Sequence, residues 1–417
     1  MRAVGGFAIA LFVLFCAADG FAAGLFTPFS LDSAQVMPKG VRRAGLTGFT
    51  TELGEKYNGS GAAIPLGDAF NKSVSWRELT DSMPAGFDRG QFRGGLSAMS
   101  IEGDEIAGYA RGMVNTRVTA NTPVLAYGLT ERLTLGMGVP VVYSNVSVST
   151  GWAASPQFES RLQALCQDGY CGKVEENRAK LQNVVETKIA NYGYKPLQNE
   201  QRTDIGDITL GAKYQLFRNE TWAFALAPKV ILPTGRVADV DKVVDVSSGD
   251  GQWDVGLAAV SDWSPVSRFT LTSSMNYTYQ MPSVKSKRIP LVGTESISPD
   301  VDPSVTEKLG DTMGAGLGAK FRVQELWTLG VGYSLQYKLA DQYSGSVYAA
   351  HRYRHLERDT EQVMQAAQAG ITFSTVPLFR AQKFAAPLEA SVNFARVLGG
   401  RNVNLINLTS FDLAAFF

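Results

Sequence analysis

A hydrolase needs a base beside a nucleophile, and the 417-residue chain offers two histidines for that work, His351 and His355. They stand among Arg352, Arg354, Glu357 and Arg358, a setting in which a histidine-assisted site at an outer rim is conceivable. Neither has a serine or carboxylate beside it in a recognisable motif, so the segment reads as a solvated charged loop and no enzymatic activity is expected. Asp239, Asp241, Asp245 and Asp250 could gather Ca²⁺, but their spacing matches no rigid calcium loop. Gly314-Ala315-Gly316-Leu317-Gly318 imitates a nucleotide loop, yet each glycine falls on the polar face of an alternating run. Cys166 and Cys171 have no histidine nearby to complete a zinc set, and in an exported chain two close cysteines form a disulfide more often than a metal site. Neither a metal nor a cofactor is expected.

A second kind of chemistry recurs at every other residue. Lys213, Lys229, Lys320, Arg322, Asp207, Asp254, Asp262, Asn276 and Gln280 all lie on the polar side of runs whose other side is apolar. Such groups can filter solutes if they face water inside a pore. Facing lipid at the bilayer midplane, each Lys or Arg would cost about 2–4 kcal/mol.

The elements that must position them are strands. Between residues 205 and 235, Ile208, Leu210, Ala212, Tyr214 and Leu216 alternate with Asp207, Thr209, Gly211, Lys213 and Gln215. After the break at Phe217 to Thr221, Trp222, Phe224, Leu226, Val230 and Leu232 alternate with Ala223, Ala225, Ala227 and Lys229. This is a hairpin of period two, and its arms are near the roughly 9–11 residues that cross a bilayer when tilted. The same pattern at about 41–53, 113–126, 133–144, 253–263, 269–280, 313–322, 327–338, 362–375, 387–398 and 403–417 brings the total to twelve. The fold class expected is therefore all-β, a transmembrane antiparallel up-and-down β-barrel of about twelve strands.

Loop lengths sort as such a barrel requires. Long external connections fall at 54–109, 149–203, 236–251, 282–309 and 340–359, with a short one at 399–402, and the remaining connections read as short turns. The inserts at 54–109 and 149–203 carry some helix, around Val74, Trp76 and Leu79 and over Lys173 to Ile189. Trp222, Trp263, Phe269, Phe321 and Trp327 mark one interface, while Tyr143, Trp253, Tyr279 and Tyr337 mark the other. Pro123, Pro140 and Pro228 interrupt predicted strands, where each removes a ladder hydrogen bond, so bulges are expected there.

Residues 1–22 have the layout of a secretory signal peptide, with the apolar run Phe7 to Cys16 before Gly20-Phe21-Ala22. A periplasmic lead-in over 23–39 and a barrel over 40–417 follow. No run of 18 apolar residues occurs later, so any crossing is made by strands. Charge is balanced, with 39 basic and 39 acidic residues, which gives no support to nucleic acid as a partner. The expected partners are outer-membrane lipid, the barrel assembly machinery and a small-molecule solute, for a monomer.

Four stretches in order carry a resemblance: Tyr127 to Gly136 leading to Val139-Pro140, Gly206-Asp207-Ile208-Thr209-Leu210-Gly211-Ala212-Lys213-Tyr214, Leu232-Pro233-Thr234-Gly235, and Gly249-Asp250-Gly251. Over roughly Tyr127 to Tyr279 the chain resembles the outer-membrane barrel family named for the meta-pathway of phenol degradation. The resemblance implies an outer-membrane channel whose solute is hydrophobic or aromatic. The final residues resemble the signal by which outer-membrane barrels are recognised for assembly, with Phe411, Leu413 and Phe417 in the matching places. Two functions follow, passive passage of a small solute or a non-conducting surface barrel whose loops bind a partner. Inward glycines leave space in the lumen that either carries solute or houses a plug from 24–39 or 54–109.

Overall fold

The computed structural model describes residues 33–81, 89–170, 184–293 and 297–417. The expected signal peptide lies outside the described residues, as does Cys171, the second member of the expected disulfide.

Twelve antiparallel strands close into a barrel. They are β1 (Arg42–Leu53), β2 (Ile106–Gly128), β3 in two pieces (Leu133–Gly138 and Val141–Ala154) and β4 in two pieces (Glu200–Ile205 and Ile208–Arg218). Next come β5 (Trp222–Leu232), β6 (Asp254–Val266), β7 (Phe269–Gln280), β8 (Thr312–Arg322), β9 (Trp327–Lys338), β10 (Gln362–Ser374), β11 (Leu388–Arg401) and β12 (Asn407–Phe416). Each strand pairs with its sequence neighbours, and β1 pairs with both β2 and β12, so no edge is left. Closure satisfies every ladder inside a medium that offers no hydrogen bonds.

The side chains obey the alternation. Leu210, Tyr214, Val255, Leu257, Met275, Tyr277, Leu317, Val331, Tyr333 and Val392 point outward and are exposed, Met275 by 70 % and Leu317 by 68 %. A band of that extent has lipid as its solvent. A register slip of one residue would exchange this face for the polar one, which is why the pairing is strongly specified. Leu413 and Phe417 of the resembling terminal signal lie on the exposed outer face, and Phe411 packs on Gly48 of β1.

Of the three prolines, only Pro140 divides a strand. Pro123 keeps its register opposite Leu46, and Pro228 keeps its register opposite Leu257. At Pro140 the register of β3 against β4 shifts by one, because Gly138 pairs with Thr209 while Val141 pairs with Ile205. The extra residue sits on β4 at Gly206-Asp207, and the Gly206 N–H donates to the Pro140 carbonyl at 2.8 Å. A bulge there absorbs the missing N–H of the proline.

Several expected boundaries move. β2 begins at Ile106, because Lys72–Ser75 pairs with its outer end. β12 begins at Asn407, because Val403–Asn404 pairs with Glu55–Tyr57 instead. The 375–387 connection is not a short turn and contains a helical turn, Val376–Arg380. Above the barrel, helices Trp76–Asp81, Arg89–Ala98 and Phe158–Gln167 share a core of Trp76, Leu79, Phe92, Leu96, Phe158 and Leu165. Trp76 stacks on Phe158 with centroids 5.2 Å apart.

The main apolar core lies inside the barrel. Inward Phe49, Leu53, Val114, Val118, Val142, Ala366, Val397 and Leu408 pack on Leu66, Phe70, Val243 and Ile297 from loops. This apolar packing fills part of the lumen against β10 to β12 and β1 to β3.

Candidate functional site

Three of the stretches that carried the resemblance meet at the β4 bulge. The Asp207 carboxylate accepts from Gly235 N at 2.8 Å and from Asp250 N at 3.2 Å. Thr234 Oγ1 donates to the Gly206 carbonyl at 2.9 Å and accepts from Ile208 N at 3.0 Å. These bonds fold the 233–253 connection back into the barrel. A Cβ placed on Gly249 would lie 2.5 Å from Asp207 Oδ1, and one on Gly235 would lie 2.7 Å from the Gly249 Cα, so both glycines are required by close approach.

The acid residues of this loop find partners within the protein. Asp245 pairs with Arg236 at 2.7 Å, Asp241 with Arg288 at 2.7 Å, and Asp239 with Lys195. Asp250 Oδ1 accepts from Gln252 N at 3.0 Å. Burial, the Asp254 carboxylate and that of Asp207 push Asp250 up to about 8. The Arg236 and Lys242 contacts with Asp204 and Glu200 tie the loop to the outer piece of β4 at 3.1 Å and 2.6 Å.

The other end of the lumen is entered by the segment before β1. The lead-in was expected in the periplasm, but residues 33–37 lie within the barrel, because inward polar groups satisfy their backbone. Asp262 Oδ2 accepts from Ser33 Oγ at 2.6 Å and Ala34 N at 2.9 Å, and Thr134 Oγ1 accepts from Met37 N at 2.9 Å. Lys213 Nζ donates to the Ser33 carbonyl and Gln215 Nε2 to that of Ala34, at 2.9 and 3.0 Å. Substituting Asp262 with alanine is expected to free this segment, read as faster amide exchange at residues 33–37 with the barrel itself intact.

Along the inward face of β5 to β10 lies a space of about 690 Å³ that includes open solvent. Its wall includes four of the expected lumen residues, Lys229, Asp254, Asn276 and Gln280. The other five stand elsewhere. Asp207 anchors the loop, while Asp262 and Lys213 hold the N-terminal segment. Lys320 faces Glu389 beside Arg43 and Asp412, and Arg322 ends β8 exposed at the rim. Alternation placed all nine on one side of their strands but carried no information on depth or partner. The cavity also uses Thr278, Thr312, Gln336, Lys338 and Gln362, which lie on the inward side of β7 to β10. Ile231, Met364 and Val403 add an apolar side that no polar pattern signals.

His351 and His355 stack edge to face at 6.1 Å on the outer loops. Burial and the neighbouring Arg358 and His351 lower His355. Among the described residues no group of three or more His, Cys, Asp or Glu is placed to hold a metal.

A family model described as "Putative MetA-pathway of phenol degradation" matches residues 139–379, more than half of the chain. No curated protein matches it. Among solved structures, the chain is similar to the COG4313 outer membrane channel from Pseudomonas putida F1, with TM-score 0.52 and 13 % identity over 93 % of this chain and 100 % of that one. The Pseudomonas putida toluene transporter TodX gives TM-score 0.31 and 12 % identity over 91 % and 89 % of the two chains. The Ralstonia pickettii toluene transporter TbuX gives 0.33 and 11 % over 91 % and 90 %. Identities this low bear on the fold alone.

Proposed function

Because the chain belongs to the phenol-degradation MetA-pathway family, we propose that this outer-membrane barrel is a channel for passive passage of a small hydrophobic or aromatic solute. The cavity along β5 to β10 carries this reading, since side chains would fill a barrel built only for rigidity. The family description supplies the aromatic class. The 233–253 loop and the 33–39 segment narrow the path from opposite ends and act as its filters. We assign no catalytic work to His351 and His355. The protein acts as a monomer in lipid, delivered there by the barrel assembly machinery.

A non-conducting barrel is the second reading, and the packing of Val243 and Ile297 against inward Phe49, Leu53 and Val397 favours it. Planar bilayer recording of the folded protein separates the two. Discrete current steps are expected; their absence, both with the native chain and with the 233–253 loop shortened, removes the channel reading.

A further inference from the structure

Several charged groups in and above this barrel meet in contact pairs. Lys338 meets Asp341 at 2.5 Å, Lys308 meets Asp311 at 2.9 Å and Lys242 meets Glu200 at 2.6 Å. Lys229 on β5 and Asp254 on β6 are inward neighbours on a diagonal, since Lys229 is opposite Gly256 and Ile231 opposite Asp254. They feel each other electrostatically but form no ion pair. Asp254 is 1 % exposed, and its Oδ1 has no hydrogen-bond partner among the described residues. Lys229 likewise has no hydrogen-bond partner among them. Glycines flank Lys229 on both sides, Gly211 on β4 and Gly256 on β6. The lysine stem lies over Gly256, where an added Cβ would come within 2.6 Å of Lys229 Cε. The strands thus hold an ammonium and a carboxylate oxygen apart on the wall of one cavity.

A buried polar group left unpaired costs about 1–3 kcal/mol, more when charged, so the buried Asp254 oxygen, with the half-buried Lys229 as its inward neighbour, suits a ligand that satisfies both. An organic anion would meet Lys229 well and Asp254 badly; a cation would do the reverse. A hydroxyl accepts from one and donates to the other, and it carries no net charge. Ile231, two residues along β5 from Lys229, and Met364 and Val403 from other parts of the wall give the cavity apolar surface that accommodates an apolar body. We propose that Lys229 and Asp254 form a hydroxyl-binding subsite in the lumen, whose ligand is a neutral small molecule with a hydroxyl on an apolar or aromatic frame. This rests on the channel reading for its purpose but not for its test.

The test uses the folded full chain in lipid nanodiscs, with phenol, toluene and benzoate as probes and saturation-transfer NMR as the readout. Folding of each variant is checked by heat-modifiable gel migration. Phenol is expected to bind about tenfold more tightly than toluene, as befits one charge-assisted hydrogen bond, and more tightly than benzoate. Lys229→Met and the isosteric Asp254→Asn should each reduce that preference to near parity. Equal binding of phenol and toluene overturns the subsite, as does tighter binding of benzoate, or an unchanged preference in the folded Asp254→Asn protein. Bilayer recording of the same samples keeps the two ideas apart. A conducting barrel that does not prefer phenol ends the subsite alone, whereas a barrel that binds phenol without carrying current ends the channel alone.

Discussion

Replacing Asp207 with alanine is expected to raise single-channel conductance several-fold, because it unfastens the loop that narrows the outer half of the lumen. The carboxylate binds two backbone amides of that loop, Gly235 N and Asp250 N, and hydrogen bonds to a charged acceptor are worth about 1.5–3 kcal/mol each. Both amides lose their acceptor at once. Gly249→Ala should act in the same direction, since its methyl group would fall on the Asp207 carboxylate. Conductance should also depend on pH through Asp250, whose ordinary value of 3.8 is raised to about 8 in the folded-back loop. A carboxyl whose folded pKa is raised favours the folded-back state when protonated. That state therefore loses stability as pH rises from about 4 to about 8, and mean current should increase over this window. A flat profile in wild type, together with unchanged conductance in Asp207→Ala, would show that the loop does not limit passage.

The second large effect concerns the small sheet of Ser283–Arg288, Val301–Lys308 and Gln342–Ser344 above the barrel. The Glu307 carboxylate is wholly buried there between Lys285 at 2.5 Å and Lys287 at 2.7 Å. Burial alone would raise Glu307, but the two ammonium groups overcome it and hold the group at about 2. Glu307→Gln removes the charge that both lysines contact, and breaking a buried pair in this way costs about 3–5 kcal/mol. Hydrogen exchange across 283–288 and 301–308 should accelerate accordingly while exchange in β5 to β9 stays slow. The sign for acid follows from the depressed value. The stabilisation is complete above the ordinary 4.5 and is lost as pH falls through about 2. The native sheet should therefore persist at pH 4 and loosen near pH 2, and loosening already at pH 4 would contradict the assignment.

The strands were legible because alternation is local. Leu271, Met275 and Tyr277 against Thr272, Asn276 and Thr278 state a strand and its two solvents without reference to any other part of the chain. Which inward residues form the cavity was not legible, because parity gives a side and not a depth. Asp207 and Asp254 have the same pattern, yet one fastens a loop and the other stands unpaired. The inward course of the 233–253 connection depends on bonds between residues 28 to 43 positions apart, which no window of sequence displays. The sequence did contain a trace of them, since Gly206-Asp207, Thr234-Gly235 and Gly249-Asp250 were singled out as motifs and prove to be one junction. The inward course of the lead-in before β1, one of the two plug segments that the sequence allowed, was not legible for the same reason. Its fixing point, Asp262, is 228 residues away from Ala34.

The seam between β1 and β12 joins Arg43 to Phe416, so the ring cannot shut until all the residues between them are present. Until then the nascent sheet has two raw margins, each a template for pairing with a neighbouring molecule. Joining sites so remote in sequence is slow on purely entropic grounds, and a catalyst that shelters those margins would shorten the most aggregation-prone interval in the life of the protein.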